Sequence, residues 1–186
     1  WERTFFLTGA PGGKQYAFQV EPDGASFKMV NSRQIGSGIP ITGLNFGPDG
    51  ALYGTDWGGG YPLTQSGAVW KIDVAPERAF ESRSTTKLAL AEDFGQLGEA
   101  KLAEWLAYPD QRVRLKAQFE FVRRGKLAEL ALIASEPKNA RLVRIHAIWG
   151  LGQLGAIAEL EALAADEDLE IQAQVCRVAA DLVDFS

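Results

Sequence analysis

Apolar positions alternate with polar ones as far as Val74 and recur with helical spacing after Ser84, so the chain changes character once. The clearest stretch of the first kind is Ile41 to Trp57. One alternating run enters the turn Gly47-Pro48-Asp49-Gly50 and a second, Ala51 to Asp56, leaves it. Proline fixes φ at the second turn position, and Asp followed by Gly suits the positions after it, which predicts a hairpin. Three more strands are predicted upstream: Arg3 to Thr8, Lys14 to Val20 with Tyr16, Phe18 and Val20 on one face, and Ala25 to Val30 with Phe27 and Met29 on one side. Gly12-Gly13 and Glu21-Pro22-Asp23-Gly24 supply the turns between them. A sixth strand, Ser66 to Val74, sets Ala68, Trp70, Ile72 and Val74 against Val69, Lys71 and Asp73.

The second half repeats. Asp110-x-x-Val113-Arg114-x-x-Ala117 is echoed by Ala140-x-x-Val143-Arg144-x-x-Ala147 and, more loosely, by Asp166-x-x-Leu169-Glu170-x-x-Ala173, at separations of 30 and 26 residues. Each unit reads as a helix hairpin: Gly98 to Tyr108 with Asp110 to Arg124, Lys126 to Ser135 with Asn139 to Leu154, and Ala156 to Ala165 with Asp168 to Val183. A leading helix near Thr86 to Gln96 would cap the array. Asp110 stands after Pro109 where an N-cap acid belongs, and Gly125 closes its helix. Val113, Ala117 and Phe121 line one face of that helix and Leu115, Phe119 and Val122 nearly the opposite one, as stacking between neighbours requires. The helix from Asn139 is apolar almost all round, which places it at the centre.

Together these patterns predict an α+β chain in separate segments, an antiparallel β-meander followed by an α-solenoid of helix hairpins. The β part occupies residues 1–74, a linker with Pro76 and Glu81-Ser82-Arg83-Ser84 residues 75–85, and the helical repeats residues 86–186. Strand, tight turn, strand with glycine-rich joints is how propeller blades are written. At roughly 40 to 50 residues per blade the β part supplies about one and a half to two. Further blades would have to complete it, or its edge stays bare.

A net charge of −5 and a pI near 5.0 argue against a nucleic-acid or anionic-membrane surface. No apolar run reaches the roughly 18 residues that span a bilayer. Cys176 is the only cysteine, which excludes an internal disulfide and any CxxCH haem motif; its neighbours Val175 and Val178 predict a buried, inert thiol. The start at Trp1, without Met, and the apolar end at Leu182, Val183 and Phe185 raise the expectation of further sequence on both sides.

The pattern Asp110, Val113, Arg114 resembles HEAT repeats. Gly43 through Asn45-Phe46-Gly47-Pro48-Asp49-Gly50-Ala51-Leu52-Tyr53 to Thr55-Asp56-Trp57, followed by Ser66-Gly67-Ala68-Val69-Trp70-Lys71-Ile72, is similar to the last propeller blade of bacterial glucose/sorbosone dehydrogenase-like proteins, a quinoprotein family. In one branch of that family the propeller runs into HEAT repeats and often then into a cytochrome c domain. The resemblance implies a secreted or periplasmic dehydrogenase acting on sugar hydroxyl or aldehyde groups with pyrroloquinoline quinone (PQQ) and calcium. Its partners would be upstream propeller blades and that cytochrome domain, and this chain would be its C-terminal scaffold. Trp1-Glu2-Arg3-Thr4-Phe5-Phe6 also resembles the blade start that leads to a quinone-contacting basic turn, here Pro11-Gly12-Gly13-Lys14-Gln15. The family's two arginines are absent, which leaves Lys14 for that part. The alternative is a non-catalytic helical-repeat module that binds a protein partner and carries a β appendage.

Quinoprotein oxidation needs a general base, and the only histidine, His146, lies in the most apolar helix beside Ile145, Ala147 and Trp149, where a satisfied core or inter-repeat histidine is expected. In the resembled family the base lies far upstream. Asp49 reads as a turn former. Asp56 and Trp57 end a strand and open the loop Gly58-Gly59-Gly60-Tyr61, which makes them candidate cofactor contacts, with strand-end structure as the other role. No Lys-Ser/Thr follows those glycines, so the loop is not a phosphate loop. Arg112, Arg114, Lys116, Arg123 and Arg124 read as a solvated face, or as partners of acids on adjacent helices such as Glu104 and Glu129, in preference to a partner-binding patch.

Overall fold

The computed structural model describes residues 4–9, 12–58, 62, 65–75 and 80–183. Readings that fall on Arg3, Pro11, Gly59, Gly60, Tyr61, Pro76 and Phe185 lie outside these. The chain divides into two units, Trp1–Lys87 and Leu88–Ser186. The first holds two antiparallel three-stranded sheets and the second holds helices, so the α and β parts are separate segments.

Strands β1 (Phe5–Gly9), β2 (Lys14–Asp23) and β3 (Ser26–Ser37) form the first sheet in that order, and β4 (Ile41–Phe46), β5 (Leu52–Asp56) and β6 (Ala68–Ile72) the second. The β4–β5 turn forms as its sequence predicts. The Gly50 amide donates to the Gly47 carbonyl at 3.0 Å and Gly50 takes φ of +73°. Between β2 and β3 the turn is tighter than predicted, because Asp23 already pairs with Ser26 and Gly24, at φ of +63°, reverses the chain. Pro22 therefore sits inside β2, beyond the part that β1 pairs, where a strand with one neighbour tolerates proline. β3 outruns its apolar stretch to Ser37, with register shifts on β2 and Asn31 in the left-handed region. The two sheets meet along β1 and β4: the Thr8 hydroxyl donates to the Ile41 carbonyl, and Phe6 and Phe46 pack edge to face.

Which face is buried differs from the expectation. Gln15 and Ala17 are buried while Tyr16, Phe18 and Val20 on the other face of β2 are half-buried. The buried position of Gln15 is used, since its amide donates to the Ile39 carbonyl at 2.8 Å. Phe27 and Met29 are exposed on the free edge strand β3, as are Val69 and Trp70 on β6.

In the second unit, helix α1 (Ser82–Ala91), which crosses the division between units, is followed by a short 3-10 turn and then by three hairpins. These are α2 (Glu99–Leu106) with α3 (Gln111–Arg123), α4 (Leu127–Ser135) with α5 (Arg141–Gln153), and α6 (Ile157–Leu163) with α7 (Leu169–Val183). Helix α5 packs against α3, α4, α6 and α7 and is central. Its residues Val143 to Ile148 are all buried. Val113, Ala117 and Phe121 of α3 enter the same core, whereas Phe119 is exposed and Leu115 and Val122 half-buried, so α3 buries one face fully and the other only in part.

The third repeat unit runs two residues later than its sequence echo. Leu169 is 76% exposed while Ile171 is fully buried. Asp168, whose carboxylate accepts from the Glu170 amide, is the N-cap in the place that Asp110 holds before α3. The structural equivalents are therefore Asp110, Ala140 and Asp168 for the cap, and Val113, Val143 and Ile171 for the first core residue.

Candidate functional site

Lys14, Asp56 and Trp57 come from the same end of the two sheets, because β1 ends, β2 begins, β4 begins and β5 ends there, and Thr8 joins Ile41 across the gap. Lys14 is exposed and without a side-chain partner among the described residues. Asp56 uses both oxygens on its own strand end: Oδ1 accepts from the Gly58 amide at 2.8 Å and Oδ2 from the Trp70 indole at 3.1 Å. Those two donors, the amide first, hold its pKa below the ordinary carboxylate value. Trp57 is 38% exposed, and its amide reaches back to the Pro40 carbonyl at 3.5 Å. A quinone with calcium needs several oxygen ligands and cations turned toward one volume. One free lysine and a carboxylate satisfied on both oxygens do not fit that group. Among the described residues no three His, Cys, Asp or Glu side chains converge as metal ligands.

A denser constellation lies at the opposite end of the second sheet. Asp49 accepts from the Ala51 amide and the Tyr53 hydroxyl and pairs with Lys71 at 2.7 Å; its carboxylate pKa is lowered, Lys71 being the main cause. Arg83 then donates to the Asp49 carbonyl at 2.8 Å and grips Asp73 with both terminal nitrogens, at 2.8 and 3.1 Å. The turn role read for Asp49 is real. Arg83, which lies in the stretch read as a linker, had no local signal for this role, since its partners stand 10 and 34 residues away.

His146 is 1% exposed. Its Nε2 accepts from Arg114 Nε at 3.0 Å, and since a guanidinium only donates, Nδ1 carries the proton and donates to Gln118 Oε1 at 2.8 Å. Burial first, and then the Arg114 charge, push its pKa down to about 4. Such a ring is a fixed polar pin, with neither nitrogen open to a substrate. Arg114 also donates to the carbonyls of Tyr108 and Pro109, both at 2.7 Å, beyond the end of α2. Arg144, at the matching place on α5, donates to the Ala134 carbonyl near the end of α4 at 2.7 Å and pairs with Asp166. Gln172 stands at that place on α7 and donates to the Asp166 carbonyl at 2.6 Å. The repeated basic position is thus a clamp on the carbonyls where the preceding helix ends, which helices otherwise leave unpaired.

The other cations of α3 are held by partners other than Glu104 and Glu129. Arg112 pairs with its cap Asp110, Arg123 and Arg124 with Glu120, and Lys116 donates to the Leu90 and Glu92 carbonyls; Glu104 and Glu129 serve Lys101 and Lys126. Cys176 is exposed rather than buried, because the inner face of α7 follows Ile171, Val175 and Val178. Among the described residues, no helix is long and apolar enough to cross a membrane. Compared with models of protein families, with curated proteins and with solved structures, the chain matches none.

Proposed function

We propose that this chain is a non-catalytic scaffold: two blade-like sheets and a HEAT-like helical array from the C-terminal part of a glucose/sorbosone dehydrogenase-like quinoprotein. The observation that carries this reading is the commitment of the groups that could do chemistry. His146 has both ring nitrogens bonded inside the helical core, and Asp49 and Asp56 are bound to their own turn and strand end. Quinone and calcium binding, the catalytic base and the sugar substrate belong in this reading to upstream blades, and localisation is periplasmic or secreted. The order of the segments and the strand–turn–strand pattern from Gly43 to Ile72 support it. Calorimetric titration with PQQ plus calcium tests it, on this chain and on a longer polypeptide that includes upstream sequence. Saturable binding by the longer polypeptide alone is expected; binding by neither, or by this chain alone, overturns the reading.

One observation favours a second reading, a protein-interaction module without redox chemistry. Leu115 and Phe119 of α3, Trp149 of α5 and Val178 and Leu182 of α7 line an open groove of about 470 Å³ along three adjacent helices. Absence of quinone binding by the longer polypeptide would move the weight to this reading.

A further inference from the structure

The first sheet has one face packed and one face bare. Phe6 and Thr8 of β1 stand across from Ala17 and Gln15 of β2, and this face meets the second sheet and the segment that leads into it. Phe6 packs on Phe46, Thr8 donates to the Ile41 carbonyl and Gln15 to the Ile39 carbonyl. The alternate positions share the other face. There Phe5 and Leu7 stand across from Phe18 and Tyr16, and beyond the end of β1 Val20 and Pro22 stand across from Met29 and Phe27. Phe5 stacks on Phe18 with ring centroids 5.5 Å apart. Even so, Phe5, Leu7, Phe27 and Met29 are each more than half exposed. The ion pair of this hairpin, Glu21 with Lys28, belongs to the opposite face.

An antiparallel sheet that keeps one face in water carries polar residues on it, and a contiguous apolar patch there marks a surface that another protein covers. At about 100 Å² for each half-exposed large side chain, and less for the half-buried ones, the stripe offers about 600 Å². Two such faces together reach about 1,200 Å², the lower bound of a specific, stable interface. The ends of the stripe set the orientation. Lys14 and Asp23 close β2 with opposite charges, both exposed and both without a side-chain partner among the described residues. Two copies laid face to face with their β2 strands antiparallel bring each Lys14 to the hairpin tip that holds the other's Asp23. A partner with charge of one sign would match one end and be repelled at the other.

We propose that the outer face of the first sheet is a dimer interface that takes a second copy of this chain, apolar stripe on apolar stripe, with Lys14 of each protomer reaching Asp23 of the other. The proposal does not rest on the quinoprotein reading, and it gives Lys14 a protein carboxylate as its partner.

Sedimentation equilibrium from about 1 to about 200 µM tests it, and a dimer with a dissociation constant in the micromolar range is expected. Phe27→Lys is expected to weaken the dimer about ten-fold or more, whereas Leu132→Lys, at an equally exposed apolar position on α4, leaves it unchanged. Lys14→Glu and Asp23→Lys are each expected to weaken it about ten-fold, and the two together to restore it. All four positions face solvent, and unchanged thermal unfolding below the dissociation constant verifies the fold of each variant. A monomer at about 200 µM, a dimer indifferent to Phe27→Lys or dissolved by Leu132→Lys, or a charge exchange that restores nothing overturns the proposal. So does a longer polypeptide, extended upstream, that stays monomeric with Phe27 protected from solvent, because upstream sequence then covers the face instead.

Discussion

Replacing His146 by glutamine should remove most of the acid sensitivity of the helical unit above pH 5. In the folded chain the ring is 1% exposed, donates from Nδ1 to Gln118 and accepts at Nε2 from Arg114, and its pKa is pushed from 6.5 to about 4. Once unfolded, the same ring takes up its proton near 6.5. Between those values the unfolded chain binds more protons than the folded one, so stability is fully present above pH 6.5 and is lost as pH falls toward 4. At about 1.4 kcal/mol per pH unit of separation, the loss reaches about 2 kcal/mol at pH 5 and about 3 kcal/mol at pH 4. Glu120, held at about 2 chiefly by Arg123, has the same sign, but its window opens only below its ordinary 4.5. Urea unfolding followed by helical ellipticity, near pH 7 and near pH 5, measures the difference. The wild-type chain should lose about 2 kcal/mol between the two and the glutamine variant less than about 0.5 kcal/mol. Because the chain has one histidine, its imidazole signals are unambiguous in nuclear magnetic resonance. Equal losses in both proteins, or an imidazole titrating near 6.5, would refute the reasoning.

Two further tests use thermal or urea unfolding of the helical unit. Ile171→Ala should cost about 3 kcal/mol and Leu169→Ala under about 0.5 kcal/mol, since the first is fully buried and the second 76% exposed; the reverse order would restore the 26-residue register of the sequence echo. Arg144→Ala should cost about 3 kcal/mol by stranding the Asp166 carboxylate and the Ala134 carbonyl, and a cost under about 1 kcal/mol would mean that the clamp is ornamental.

The parts of the fold that a few neighbouring residues decide were readable in advance. The Gly47 to Gly50 turn is closed by its own backbone and by the Asp49 side chain, so its sequence suffices. Each helix announces itself by spacing and by caps such as Asp110. What depended on distant partners was not readable. Asp166 and Asp168 are equally good cap acids by type, and each also meets an arginine more than 20 residues upstream, Arg144 and Arg141, so their immediate neighbours do not tell them apart. The immediate neighbours of Cys176 mislead about its burial, because burial along a helix follows residues three and four apart. At the candidate site, Asp56 and Trp57 could be named as a strand end, but the Trp70 indole that occupies the Asp56 carboxylate comes from the next strand, 14 residues on. Arg83 and its grip on Asp73 arise only when β6 and the start of α1 are brought together.

The carbonyl clamps give the three hairpins an order. The first two are charged, Arg114 and Arg144, and the third is the neutral Gln172. Among the described residues, only the middle hairpin pairs cations with acids across the junction that follows it, Arg144 with Asp166 and Arg141 with Asp168 at 2.6 Å, whereas the first passes Arg114 to a neutral imidazole. Placed directly behind α3, the last hairpin would bring its acids to Gln111 instead of Arg141. Placed last, the middle one would present Lys138 where an acid is needed. Units alike in shape are therefore not interchangeable parts: each junction is keyed, and an array lengthened by copying one hairpin would have to copy its matching neighbour as well.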